Sequence, residues 1–426
     1  MDTRTNNFLK ILRLIFDEQT ELLLEEPVDW VQLSETARNQ NLLPLFFEAA
    51  NRFETYAKSE DYETSETSET SAKFDTYASS AAYAKDQFDT FTMVAEQIQR
   101  SSAFIDIYEK MTEQGIYPIV LKGIVCRQLY GEFGEHRPSG DEDILIEVKD
   151  FPKVKEILEQ EHYICSIPDM TERGLNQIQE VGFYNPEQRL HLEVHTNIIG
   201  KESDNRTRMN SLFWHVHEHG QLIQIDGIDI KVLEPTESLL FLILHAYKHF
   251  QNRGVGIRQM IDILLYYREY KHVIQIEELQ AALKICEAES IWQDIRYIGY
   301  QYLGLCDEKP EQVCCPEVLL QDMMQAGVFG GQEKSDYMAA NVNLSLENTA
   351  YKQGKAYTLI RSAFPSRQIL LGGYPYLEEK PWLLPVVWGK RWFKFIRYAG
   401  KDVWKLIREI LQKSSARMEI IKKYKK

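Results

Sequence analysis

Apolar positions along the chain change their period, and the change separates helical from strand-forming stretches. Asp2 to Phe53 carries helix-spaced apolar residues, interrupted near its start by Lys10 and Arg13. From Phe91 to Glu113, Met93, Ile98, Phe104, Ile105, Ile107, Tyr108 and Met111 recur at approximately helical spacing, with Gly115 as the stop. A short apolar run, Tyr117 to Leu121, then predicts a strand that ends at Lys122-Gly123, and residues 124–131 return to helical spacing. Gly140 precedes Asp141-Glu142-Asp143 and the run Ile144 to Val148, a second strand. Phe151 to Glu161 predicts a helix, while Val181 to Tyr184 and Arg189 to Thr196 predict two more strands. Beyond Glu234-Pro235-Thr236-Glu237, where an early proline and first-turn acids favour a helix start, the pattern stays helical to about Leu305. The expected fold is α+β: a small mixed β-sheet core flanked by helices, with an N-terminal helical region and a mostly α-helical C-terminal half.

The expected divisions are a helical region over 1–57, an acidic low-complexity insertion over 58–88, the α/β core over 89–233, a helical domain over 234–350 and a basic aromatic region over 351–426. Within the insertion, Lys58 to Lys85 repeats Thr-Ser-Glu at 64–66 and 67–69 and holds no large aliphatic residue. Such a segment is expected to be disordered or loosely helical and unable to nucleate a core. At 426 residues the chain is long enough for two or three domains.

Charge modifies this picture at one end. The net charge is −15, yet Lys380 to Lys426 holds 14 Lys and Arg against Asp402, Glu409 and Glu419, a local +11, so the other 379 residues carry −26. An acidic bulk makes nucleic acid an unlikely partner. The basic tail interleaves Trp382, Trp388, Trp392, Phe393, Phe395 and Trp404, a composition that suits either a peripheral membrane or acidic-protein contact through 380–426, or packing on the chain's own acidic body. Six cysteines without a CxxC argue against a disulfide framework or zinc knuckle. An N-terminus that reads as an amphipathic helix rather than a signal peptide, with apolar runs too short to span a bilayer, points to a cytoplasmic protein.

Candidate chemistry sits on the predicted strands. Asp141 and Asp143 fall on one strand face, Cα atoms ~6.6 Å apart, and can share a divalent cation such as Mg²⁺ or Mn²⁺. In the run 189–196, Leu190, Leu192 and Val194 alternate with His191, Glu193 and His195, so one face is core and the other carries a carboxylate between two imidazoles. If the strands are neighbours, Glu193 joins the aspartates; three carboxylates can hold two metal ions about 3.5–4 Å apart for in-line displacement at phosphorus. Lys122-Gly123 closes a strand and opens a helix, a place where backbone N–H groups and a lysine meet phosphate, and Arg137 can reach the same triphosphate. His245 and His249, at i and i+4, either orient the substrate or are helix histidines satisfied by Asp262 or backbone. His215, His217 and His219 in WHVHEHG read as a solvated strand or loop ahead of a soft-metal site.

The stretches VLKGIVCRQLYGEFGEHRPSGDEDILI, HLEVH and LHAYKHFQNRGVGIRQMIDILLYYRE resemble the uncharacterised nucleotidyltransferase family of bacteria, a branch of the polymerase-beta-type nucleotidyltransferase superfamily. The resemblance covers roughly residues 8–300. It implies that Lys122 and Gly123 contact phosphate, that Asp141, Asp143 and Glu193 bind Mg²⁺, that Glu193 assists deprotonation of the acceptor, and that the helical half closes over the nucleotide through His245 and His249. The implied activity is transfer of a nucleoside monophosphate from an NTP donor to an unknown small-molecule or protein acceptor. Ile124 follows Gly123 where the superfamily usually has Gly or Ser, which keeps a second reading open: a catalytically inactive nucleotide- or partner-binding module of the same fold.

Overall fold

Seven strands form one mixed sheet: β1 (Ile119–Val120), β2 (Asp141–Leu145), β3 (Ile164–Cys165), β4 (Glu180–Asn185), β5 (Leu190–His195), β6 (Gln221–Ile225) and β7 (Ile228–Val232), in the order β3-β4-β5-β2-β1-β7-β6. The computed structural model describes residues 2–17, 24–57, 65–200, 204–252, 254–327, 363–371, 373–399 and 403–424. The α+β architecture is the expected one. β2 runs parallel to β5 and antiparallel to β1, and β1 runs parallel to β7. β2 begins at Asp141, so the paired acids are strand residues rather than a preceding turn. β3, β6 and β7 were not expected from periodicity. The β6–β7 hairpin turns at Asp226-Gly227, both at positive φ (50° and 84°), the Asp-Gly signal that a two-residue hairpin requires. Residues 216–219 form a short helix, not a strand, and His215 pairs with Glu237 at 3.0 Å.

The sheet separates two cores. On one face the helices Ala81–Glu113 and Phe151–Gln160 bury Phe104, Ile107 and Val154 against Ile144, Ile146 and Leu192. On the other face Ile119, Leu121 and Leu145 join a larger core built from the N-terminal helices Thr3–Phe16 and Leu43–Ala57 and the later helices Pro235–Asn252 and Ile257–Tyr270. The N-terminal helices and the helices at 235–270 therefore share one apolar interior, and the latter lie over the acid-bearing face of the sheet.

The acidic repeat region departs from its expectation over its second half. Residues 58–64 lie outside the described residues, but Ser65–Ala78 is a helix. Its Phe74 and Tyr77 are buried, with ring centroids 4.7 and 6.2 Å from that of Trp30. Aromatic rings supply the apolar area that the missing aliphatics do not. Tyr77 also donates to buried Asp86, which pairs with Arg38.

Near the C-terminus, Leu370, Leu371, Leu377 and Val387 form a small separate cluster around the start of the helix Leu384–Ala399. The last helix, Val403–Tyr424, is pinned by Tyr424, whose hydroxyl donates to Asp294 at 2.5 Å. The other carboxylate contacts of Asp294 come from the backbone N–H groups of Cys314 and Cys315. Among the described residues no helix is long and apolar enough to cross a membrane.

Phe74→Ala is expected to cost about 3–5 kcal/mol in denaturant unfolding, the range for emptying a buried aromatic site. A change below ~0.5 kcal/mol would return the 65–78 helix to the status of a dispensable insertion.

Candidate active site

The parallel register of β2 and β5 sets Asp141 opposite His191, Asp143 opposite Glu193 and Leu145 opposite His195. Because side chains alternate along a strand, Asp141 and Asp143 share a face with Glu193 and His195, while Glu142 points the other way. This face does not open freely to solvent. Asp143 is fully buried and the Asp141 side chain is 31% exposed, because the helices at 235–270 roof this end of the sheet and convert an outer face into a cleft.

Lys122 follows β1 and is aimed back at β2, since the Leu121 N–H donates to the Asp143 carbonyl at 2.9 Å. Its Nζ lies 3.2 Å from Asp141 Oδ2 and 3.2 Å from Asp143 Oδ2. Burial alone would discharge this lysine, but Asp141, Asp143 and Glu193 reverse the effect and raise its pKa. Burial pushes Asp141 up, and Lys122 followed by Arg258 outweighs that, holding it at about 2. Glu193 moves the other way: burial, then the Asp143 and Glu180 charges, lifts it well above the usual carboxylate range. Glu180 on β4 is likewise opposed by burial, yet Lys248 and His195 bring it below its ordinary value.

His195 completes the acidic group, its Nε2 standing 3.0 Å from Asp143 Oδ1. Asp143, Glu193 and His195 each offer a ligand atom, all within 4.8 Å of one another. The structure thus brings together Asp143 and Glu193 as expected, adds His195, and connects Asp141 to them through Lys122. Asp143 Oδ2 is held by Lys122, whereas among the described residues buried Glu180 Oε2 has no hydrogen-bond partner and lies 3.8 Å from His195 Nε2, the condition in which a divalent cation satisfies an oxygen ligand. His195 was visible two residues beyond Glu193, but spacing along one strand says nothing about its contact with Asp143 across the sheet. His191, on the same strand, is exposed and stacks on Tyr184 with centroids 4.2 Å apart.

Gly123 has a reason of its own. It adopts φ 79° and ψ −114°, and an added Cβ would lie 1.9 Å from Glu142 Oε2. That carboxylate accepts the Ile124 N–H at 2.7 Å and pairs with Arg127 at 2.7 Å, both side chains of the pair being buried. The helix Ile124–Gln128 is only five residues long, and its Ile124 amide is already satisfied by Glu142. Ile124 itself packs into the sheet core. A glycine is needed here for the Glu142 carboxylate.

A cleft of about 370 Å³ adjoins the acids and is lined by Lys122, Asp141, Arg137, Ser139, His245 and Arg258, among others. Arg137 was expected to reach toward phosphate; its Nε and Nη2 instead donate to Asp262 at 2.7 and 2.5 Å, which holds the guanidinium at the cleft wall and leaves Nη1 without a partner. Tyr130 donates to the same carboxylate at 2.7 Å. Arg258, which periodicity did not single out, donates to the Pro138 carbonyl and has a buried Nε with no partner. Burial, then Arg137, lowers its pKa. His245 and His249 satisfy each other, Nε2 to Nε2 at 3.3 Å, rather than Asp262. Burial, reinforced by lysine charge, depresses both, His249 to about 3, so both imidazoles are neutral near pH 7.

Carboxylates on adjacent parallel strands, a lysine at a strand-to-helix turn and two arginines on the opposing wall give a cleft with charges of both signs, and Asp143, Glu193 and His195 could hold a metal ion. A family model for an uncharacterised nucleotidyltransferase matches residues 26–303, which include the whole sheet and cleft, and the chain belongs to that family. The family's activity implies a nucleoside triphosphate substrate. No curated protein and no solved structure matches the chain.

Asp262→Asn is expected to destabilise the protein by about 3–5 kcal/mol, because it leaves the buried Arg137 guanidinium uncompensated. Burial raises the Asp262 pKa but Arg137 brings it below its ordinary value. Its contribution is therefore fully present above the unfolded aspartate pKa near ~3.9 and fades as pH falls through the lower folded value. Denaturation curves from pH 7 to 2 should show wild type losing more stability in acid than the Asn variant; parallel curves would contradict the assignment.

Proposed function

We propose that this protein is a Mg²⁺- or Mn²⁺-dependent nucleotidyltransferase of the polymerase-beta type. It transfers a nucleoside monophosphate from an NTP to a hydroxyl or amine of a small-molecule or protein acceptor. The observation that carries the reading is the β2/β5 register, which puts Asp143 beside Glu193 with Asp141 two residues away on the same face. Asp141, Asp143 and Glu193 are the residues assigned to hold the cation. His195 is the positioning partner that fixes Asp143 through a 3.0 Å contact. A divalent cation bound there supplies charge neutralisation at the transferring phosphoryl group.

In this reading the acceptor oxygen or nitrogen attacks the α-phosphorus and the bond to the leaving pyrophosphate breaks. Glu193 takes the acceptor's proton at a carboxylate oxygen from its ionised form, and its raised pKa, due first to burial, makes that carboxylate the stronger base. Lys122 is placed to move from the aspartates toward phosphate oxygens, with the Gly123 turn behind it. Arg137 Nη1 and Arg258 Nε offer donors on the facing wall. Neutral His245 and His249 orient the nucleotide by hydrogen bonding without competing as charges.

The second reading, a nucleotide-binding module without turnover, draws on Glu142, which already accepts the amide that a phosphate would otherwise use. Turnover separates the two. Mass spectrometry of the protein and of cell extracts incubated with labelled NTP should show a product heavier by one nucleoside monophosphate, and bound nucleotide that is never converted supports the inactive module.

Asp143→Asn and Glu193→Gln are each expected to lower turnover on the order of 10³-fold, several kcal/mol of lost charge stabilisation. Titration calorimetry with ATP, CTP, GTP and UTP should show Mg²⁺-dependent binding to wild type that Asp141→Asn/Asp143→Asn loses. Absence of any such binding to wild type sinks the transferase reading and leaves, of the second, only a partner-binding module.

A further inference from the structure

The basic aromatic region is untouched by the proposed chemistry, and its structure divides its apolar residues into two sets. One set faces inward. Val387 is fully buried, Trp388 donates its Nε1–H to the Pro365 carbonyl at 2.9 Å, and the Trp388 and Trp392 rings lie against Phe364 at 5.3 and 6.4 Å. The cover here is local, from Phe364 and Pro365 of the same region; the expected packing on the acidic body is found in the last helix, where Arg417 pairs with Asp322 and Tyr424 with Asp294. The other set faces out: Trp382 and Phe393 are each 69% exposed, Ile396 53% and Val386 51%.

Helical geometry orders this outer set. Val386, Lys390, Phe393 and Arg397 follow each other at i, i+4, i+7 and i+11, one continuous stripe on a straight helix. Ile396 lies on one shoulder of the stripe and Lys394 on the other. Four large apolar side chains therefore occupy a face that no described residue covers and whose flank is a row of cations. From Lys380 to Lys401 the chain contains six Lys or Arg and no Asp or Glu, inside a protein whose remaining 379 residues up to Lys380 carry −26. Glu378, just before this stretch, contacts Thr171 and Arg173 and so ties its start to the nucleotidyltransferase core.

We propose that the outward face of the helix Leu384–Ala399, with Trp382, docks the protein on an anionic lipid bilayer. Phe393, Ile396, Val386 and Trp382 enter the boundary between headgroups and acyl chains, and Lys390, Lys394 and Arg397 lie over the lipid phosphates. An acidic protein partner would use the cations but leaves the four apolar side chains without a role. No part of the helix spans the bilayer. Docking would hold the catalytic cleft next to a membrane, where an acceptor carried on a lipid or assembled at the surface is within reach.

Co-sedimentation of the full-length protein tests this with two vesicle types, pure phosphatidylcholine and phosphatidylcholine with about one third phosphatidylglycerol. The expected result is pelleting with the anionic vesicles that weakens as salt is raised, because lipid charge is screened. Phe393→Ser/Ile396→Ser should weaken binding on the order of tenfold or more, and Lys390→Gln/Lys394→Gln by about fivefold per lysine. All four side chains are at least half exposed or lie on the outer row, so melting temperatures should match wild type. Phe91→Ser, a 73%-exposed aromatic on the long helix, serves as the control and should bind like wild type. Three outcomes would overturn the proposal: no pelleting with anionic vesicles, equal pelleting of the two double variants and wild type, or binding to a polyglutamate peptide with none to vesicles.

Discussion

Everything chemical in this structure depends on one strand pairing, the parallel alignment of β2 with β5. It brings together Asp143 and Glu193 from segments 50 residues apart, and it places His195 where its ring meets the Asp143 carboxylate. Burial first, and then the neighbouring Asp143 and Glu180 charges, raise the Glu193 pKa, while Lys122 outweighs burial at Asp141 and lowers its pKa. A one-residue slip of β5 would send Glu193 and His195 into the opposite core and leave Asp143 facing Val194 or Leu192. The alternating Leu190, Leu192 and Val194 oppose that slip, because it would expose all three.

A charged site at the end of a small sheet also needs walls, and the helices at 235–270 provide them. They belong to the same apolar core as the N-terminal helices, so the roof over the acids is held by residues from both ends of the matched segment. Arg137 and Asp262 connect the two sides across 125 residues of chain. Buried ion pairs of this kind are expensive to desolvate and earn their place by fixing geometry; here the pair fixes a guanidinium at the cleft wall with one N–H left over. The opposite arrangement holds at Glu142, whose carboxylate is consumed by Arg127 and the Ile124 amide and which makes Gly123 obligatory. Asp141, Glu142 and Asp143 are consecutive, yet the middle acid is structural and the outer two lie on the other side of the sheet, Asp141 lining the cleft and Asp143 buried beside it, purely through strand alternation.

The C-terminal region follows a different logic. The inner aromatic face of the helix Leu384–Ala399 is covered by a small local cluster and its outer face is left basic and apolar, whereas the last helix is partly neutralised internally by the Arg417–Asp322 ion pair. Cations concentrated on one helix beside exposed rings are stable in water only because they stay hydrated, and the same arrangement becomes favourable at an anionic interface.

Local pattern by itself determined the α+β class, four of the strands, the shared face of Asp141 and Asp143, the alternation around Glu193 and the basic aromatic end. The Asp226-Gly227 hairpin was missed, although its turn signal is local. Tertiary structure alone decided which strands are neighbours, that the acid-bearing face is roofed, that His195, Glu180 and Arg258 join the site, and that Phe74 and Tyr77 anchor the acidic repeat. The reason is physical. Periodicity reports which side of an element is apolar, a property of a few consecutive residues, whereas contacts between residues 50 to 125 positions apart depend on how whole faces pack, and a pKa or an unpaired donor exists only after that packing has excluded water.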